Sequence, residues 1–201
     1  IIMLTGKRRS SKDISSIIVG FGILFVGITT MSSAVAPLQE SEAFCSIFVK
    51  LGHNPFLGIL AGALVTAIIQ SSSASVGILQ SLAAAGLVPF NAAVYIIMGQ
   101  NIGTCVTAIL SSIGASKNAK RTAMIHLLFN VIGTLFFLAL LYVGNTLFHF
   151  TFWDSVMNRG SIANLHLCFN VACTALLLPF HKILVKIVEK LVPGDTVAPE
   201  F

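Results

Sequence analysis

Three long stretches of this 201-residue sequence carry no Asp, Glu, Lys or Arg: residues 51–116, 122–153 and 160–181. A water-soluble domain devotes roughly a quarter of its residues to those four types; here 9% are charged and 56% are hydrophobic. Stretches of this kind fold in hydrocarbon, where backbone N–H and C=O groups must be paired within the segment, so the expectation is an all-α integral membrane protein. The net charge of +5 does not point to nucleic acid, because the basic residues flank apolar runs instead of gathering on one face. Cys45, Cys105, Cys168 and Cys173 form no CxxC and no metal-ligand spacing. The opening Ile1-Ile2-Met3-Leu4 does not read as a translational start, and the sequence is expected to be the later part of a longer membrane chain.

A helix rises about 1.5 Å per residue, so about 20 apolar residues cross a hydrocarbon layer of roughly 30 Å. Residues 14–35, 121–143 and 161–180 meet that requirement. Residues 54–86 do not. Asn54-Pro55 reads as a helix start, with Asn as cap and Pro in the first turn, but Gln70-Ser71-Ser72-Ser73 interrupts the apolar run. Each arm then yields only about 18 to 22 Å of helix, and the segment is predicted to be a re-entrant hairpin. Gly99-Gln100-Asn101-Ile102-Gly103-Thr104 is expected to divide residues 91–113 in the same way, giving a discontinuous transmembrane helix. Residues 38–51 and 182–192 alternate apolar and charged positions at helical spacing, as interfacial helices do. Residues 1–193 thus form one transmembrane unit, followed by a polar tail or linker at 194–201.

The basic residues fall in clusters of four (Lys7, Arg8, Arg9, Lys12), three (Lys117, Lys120, Arg121) and three (Lys182, Lys186, Lys190) of the 12 present. A hairpin at 54–86 puts all three clusters on one side of the membrane. A single broken crossing there would divide them. The positive-inside rule favours the hairpin, with the basic loops cytoplasmic.

A helix break at membrane depth exposes carbonyls and amides that only protein, water or a ligand can satisfy. Serine hydroxyls both donate and accept. The half-helix that starts beyond Gln70-Ser71-Ser72-Ser73 turns its positive end toward an anion, while the carbonyls that end the preceding half-helix favour a cation. The competing reading is close packing by small residues, of which Gly58 and Gly62 are an instance. In the second interruption, Asn101, Thr104 and Thr107 offer neutral oxygens suited to a hard cation such as sodium. The alternative there is a kinked helix lined by packing residues.

The stretches at 54–75 (NPFLGILAGALVTAIIQSSSAS) and 99–130 (GQNIGTCVTAILSSIGASKNAKRTAMIHLLFN) resemble the sodium-coupled phosphate cotransporter family, its bacterial members in particular. The likeness runs over nearly the whole chain. That family carries QSSS twice, once in each of two inverted repeats whose copies together form the phosphate and sodium site. This sequence has one copy and resembles the second repeat alone, one inverted-repeat unit. The resemblance implies phosphate binding by Gln70, Ser71, Ser72 and Ser73, and sodium binding by Gln70, Ser71, Gln100, Asn101, Thr104 and Thr107. Gln100 stands where a small residue is usual. It further implies Na+ as coupling ion with no organic cofactor, and inorganic phosphate and the lipid bilayer as partners. A second QSSS-containing repeat, upstream or on another chain, and a PhoU-type cytosolic domain complete the implied set.

An internal repeat needs no family likeness: His126-Leu127-Leu128-Phe129-Asn130-Val131 recurs as His166-Leu167-Cys168-Phe169-Asn170-Val171, with Thr134 and Thr174 in register. His and Asn at i and i+4 share a helical face, and the pairs His126/Asn130 and His166/Asn170 are expected to hydrogen-bond between helices and fix the scaffold. A proton relay or metal site is the sharper alternative. No GxxxxGK, HExxH or GxSxG is present, and no carboxylate pair lies within the membrane, so no enzyme is expected. The expected function is sodium-coupled phosphate symport across the cytoplasmic membrane. A structural or binding module, or a transporter of another small anion, is the alternative.

Overall fold

The computed structural model describes residues 12–23, 26, 30, 37, 41–43, 46, 50 and 54–194. Two compact units divide the chain, residues 1–41 and 42–201. In the first, residues 12–23 are helical and largely exposed. Most of the rest of the crossing expected at 14–35, most of the interfacial helix expected at 38–51, and the tail from 195 lie outside the described residues.

In the second unit the described residues 42, 43, 46 and 50 are helical, and the first element described throughout is α1 (Pro55–Ile69), whose start follows from its sequence. Asn54 Oδ1 accepts from the N–H groups of Phe56 and Leu57 at 3.0 and 3.1 Å, and Pro55 occupies the first turn, where no donor is needed. Gln70 ends the helix in the left-handed conformation (φ 53°), its N–H bonded to the Thr66 carbonyl. Ser71 then caps α2 (Ser72–Ala84) by accepting from Ala74 N–H at 3.3 Å. A tight turn at Gly86 (φ 75°) leads into α3 (Phe90–Ser111). The remaining elements are α4 (Lys117–Phe148), α5 (Arg159–Leu177), a 3-10 turn (Leu178–Phe180) and α6 (His181–Leu191). Among the described residues, three helical segments are long and apolar enough to cross a membrane: Phe90–Ser111, Lys117–Phe148 and Arg159–Leu191. At 15 and 13 residues, α1 and α2 fall short.

The helix α3 is one unbroken rod of 22 residues, which corrects the expectation of a discontinuous helix at Gly99–Thr104. The glycines there serve close approach and not unwinding. A Cβ at Gly99 would collide with the Ile59 carbonyl oxygen, and one at Gly103 with the Ala63 carbonyl oxygen; the latter would also lie 2.8 Å from Thr66 Cβ. From the other side, a Cβ at Gly62 would strike the Ile96 carbonyl oxygen. Helices α1 and α3 therefore touch backbone to backbone, the contact that small residues permit in membranes.

Packed among its neighbours, α3 is the buried mast: Val94, Ile96, Ile97, Met98 and Gln100 are all nearly inaccessible. By contrast, α4 and α5 leave Leu135, Phe136, Leu140, Leu167 and Val171 exposed, an apolar exterior suited to lipid. They pair in antiparallel fashion, with the rings of Phe137 and Phe169 5.4 Å apart and Gly133 against Cys173. An apolar cavity of about 170 Å³ lies between α3 and this pair, lined by Val94, Met98, Phe137, Leu141, Leu165 and Phe169 among others.

Residues 149–158 do more than join α4 to α5. Pro89 precedes α3 and has no side chain that could cap it, leaving the first amides without acceptors. The connection supplies them: Phe90 N–H donates to the Ser155 carbonyl at 2.9 Å and Asn91 N–H to that of Trp153 at 3.1 Å. Asn91 Nδ2 donates to Asp154 Oδ1 at 2.9 Å, and Met157 N–H to the Val88 carbonyl at 2.9 Å. Stacking of Phe150 on Phe152 (5.0 Å) and the edge contact of Phe90 with Phe152 (5.0 Å) cover these bonds.

Gly99→Ala should lower the thermal midpoint of the purified protein, by an overpacking cost of about 1–3 kcal/mol. Gly160→Ala, whose added carbon meets only Asn158 Oδ1 at 3.4 Å, should leave the midpoint unchanged. Equal midpoints for the two variants would refute the backbone contact.

Candidate functional site

The break between α1 and α2 brings a polar tip together with a polar layer beneath it. At the tip, Gln70 and Ser73 are exposed while Ser71 and Ser72 are half-buried. Ser71 Oγ lies 3.2 Å from Ser73 Oγ. Ser71 also satisfies two donors of α2, through its side chain to Ala74 N–H and its carbonyl to Ser75 N–H at 3.0 Å. The N–H groups of Ser72 and Ser73, first and second in the helix, have no carbonyl behind them to bond. Two open amides and a set of hydroxyls thus face outward from the positive end of a 13-residue helix. That arrangement can donate to an oxyanion.

Under the tip, three helices converge on one side chain that sequence reasoning left without a role. Ser75 is fully buried, and Thr66 Oγ1 donates to its Oγ at 2.8 Å. Gln100 Nε2, from α3, donates to both the carbonyl oxygen and the Oγ of Ser75 at 3.0 Å. A carbonyl only accepts, so the Gln100 atom facing it is the NH2 group, which fixes the orientation of the amide. Its other atom, Oε1, is buried and has no partner among the described residues. Thr66 and Ser75 were legible only as polar residues four positions from Gln70 and from Ser71 on the inner side of each arm. Thr66 packs against Gly103, a contact between helices that only the structure shows.

The other proposed sodium ligands lie further along α3 and turn back onto their own helix. Asn101 Nδ2 donates to the Ile97 carbonyl at 2.9 Å, Thr104 Oγ1 to that of Gln100 at 2.9 Å, and Thr107 Oγ1 to that of Thr104 at 2.8 Å. A hydroxyl that donates keeps its oxygen lone pairs, so these groups retain the capacity to accept. Among the described residues no group of three or more His, Cys, Asp or Glu is placed to hold a metal.

Of the repeated His/Asn pairs, the first bonds between helices as the sequence leads one to expect, and both also bond within their own helix. Asn130 Nδ2 donates to the backbone carbonyl of His126 at 2.9 Å, and Asn170 Nδ2 to that of His166 at 2.8 Å. Both amides close bonds within their own helix at i−4, where a free carbonyl lone pair is nearest. The link between helices comes from Cys105: Asn130 Nδ2 lies 3.4 Å from its Sγ, and that thiol faces the His126 carbonyl at 3.6 Å.

The profile of the family described as Na+/Pi-cotransporter matches residues 35–158 of the chain, a span that holds the broken hairpin and α3. The chain belongs to that family. Among similar proteins, YqeW of Bacillus subtilis, uncharacterized, is 31% identical over 96% of this chain and 62% of its own length. YjbB of Salmonella typhimurium, whose name provisionally assigns it inorganic phosphate export, is 25% identical over 97% of this chain and 36% of its own. The sodium-dependent phosphate transport protein 2A of Rattus norvegicus is 34% identical over 67% of this chain and 22% of its own. The chain thus spans less than two thirds of the length of these relatives. No solved structure matches it.

Ser75→Ala should strand the Thr66 hydroxyl and leave Gln100 Nε2 only the backbone carbonyl of residue 75, at a cost of about 1–3 kcal/mol, read as a lower thermal midpoint. Ser73→Ala, at an exposed position, should leave it within error of the parent. A midpoint for Ser75→Ala equal to the parent's would contradict the convergence described.

Proposed function

We propose that this chain supplies one half of the substrate and ion site of a sodium-coupled symporter of inorganic phosphate. The observation that carries the reading is the helix break at Gln70–Ser71, with its open amides and hydroxyls, in a member of the Na+/Pi-cotransporter family. Residues 54–86 form a re-entrant hairpin that enters and leaves the membrane on one side, with the basic loops cytoplasmic. Gln70, Ser71, Ser72 and Ser73 hold the phosphate. A second QSSS-containing repeat, inverted relative to this one, completes the cavity from the opposite side, and a PhoU-type domain follows on the cytosolic side.

Coupling follows from charge. Phosphate carries between one and two negative charges near neutrality, and residues 51–116 hold no Lys or Arg to offset them. In a site of low dielectric the offset must come from ions that bind with the substrate, so each raises the affinity of the other. Sodium is held by the oxygens of Gln70, Ser71, Gln100, Asn101, Thr104 and Thr107, with Gln100 Oε1 the buried acceptor that lacks a donor. The direction of net flux is set by the two gradients, and the name of the Salmonella relative gives weight to export where phosphate is abundant inside.

In proteoliposomes holding the full-length protein, labelled phosphate should accumulate when an inward sodium gradient is imposed and should not when potassium replaces sodium. Ser71→Ala and Ser72→Ala should each reduce the initial rate about tenfold or more, the loss expected for a hydrogen bond to a charged ligand. Uptake indifferent to sodium would defeat the coupling. Sulfate competing as well as phosphate would move the substrate to oxyanions in general, and binding of neither would leave a structural module.

A further inference from the structure

Among the described residues, nothing covers the face of α6 turned away from the rest of its unit, and its pattern identifies what does. Leu184 and Val188 are buried against the rest of the unit. Next to them around the helix, Ile183, Ile187 and Leu191 form an exposed apolar stripe at 55, 40 and 57% accessibility. Lys182, Lys186 and Lys190, spaced four apart, form an exposed stripe beside it. An 11-residue helix thus shows, in order around its axis, a protein-facing stripe, an uncovered apolar stripe and a cationic stripe. Glu189, on the far edge of the lysines, is its single carboxylate.

The depth of α6 is set by a separate contact. Arg121 donates from Nε to the Val192 carbonyl at 3.2 Å and from Nη2 to the Gly194 carbonyl at 2.9 Å. Lys117 lies beside Gly194. The end of α6 is thereby level with Lys117, Lys120 and Arg121, the basic residues just before the charge-free run 122–153. Cations at the edge of an apolar crossing mark the headgroup layer. Uncovered isoleucine and leucine at that level belong against acyl chains, with the lysines reaching up to phosphate oxygens.

We infer that the Ile183/Ile187/Leu191 and Lys182/Lys186/Lys190 stripes of α6 form a docking surface for anionic phospholipid, the acyl chain on the first and the headgroup on the second. This surface is independent of the transport reading. A zwitterionic headgroup carries no net negative charge to offset the three ammonium groups, so the surface selects phosphatidylglycerol-like lipids over phosphatidylcholine.

The test uses the full-length protein in vesicles with Ile187→Trp in a Trp153→Phe background, which leaves a single indole in this chain. Phosphatidylglycerol brominated on its acyl chain should quench that indole with an apparent affinity at least about fivefold above brominated phosphatidylcholine, the size expected for one near-surface lysine. Combined Lys182→Gln, Lys186→Gln and Lys190→Gln, or raised salt, should bring the two lipids to equality. Equal quenching in the parent would overturn the headgroup selection, and no quenching by either lipid would mean that protein covers the stripe. As a check free of the tryptophan changes, mass spectrometry of the unaltered protein released in mild detergent should retain phosphatidylglycerol, and the triple glutamine variant should lose it. Equal retention by both would also overturn the proposal.

Discussion

Backbone contact between α1 and α3 decides where every polar group of the hairpin can go. With a side chain at Gly62, Gly99 or Gly103 the two helices would stand apart by the width of a methyl group or more, and Gln100 would no longer reach Ser75. At the observed separation, Gln100 spans from one helix to the second arm of the hairpin, while Thr66 spans from the first. Three elements then share one fully buried hydroxyl. In hydrocarbon an unmet donor costs more than in solution, so this small network holds the hairpin closed.

The same network explains how a broken helix is tolerated. Gln70 adopts a left-handed conformation that a non-glycine residue occupies at some cost, and Ser71 repairs two of the open donors beyond it. The repair stops there. Two amides and several hydroxyls remain at the tip, placed above a buried layer whose donors are already bonded. Rigid support below and unmet donors above are what a site for a small oxyanion requires.

Much of this could be read from the sequence, and the exceptions are instructive. Asn54-Pro55 signals a helix start through local chemistry that does not depend on neighbours, and the structure has that start. Gln70-Ser71 combines a polar interruption with arms too short to cross, again local facts. Gly99 and Gly103 are different, because glycine permits both unwinding and close approach. Only the presence of Ile59 and Ala63 opposite them decides for approach, and that pairing is a tertiary fact. The His/Asn repeat divides for a related reason: an asparagine within a helix always has a carbonyl four residues back, and Asn170 bonds there, whereas Asn130 makes that bond and also reaches Cys105 across the interface. Ser75 lay in plain view as the fourth polar residue after Gln70, and its role emerged only when a third helix was seen to bond it.

The connection at 149–158 also bears on how this protein should be handled. Its carbonyls terminate α3, so it is a lid on a helix and not a slack tether. An epitope or fluorescent fusion spliced into it would uncap the mast on which the hairpin leans, and a protease acting there would cut a structural joint. Attachment points for reporters are better sought at the opposite end of α3.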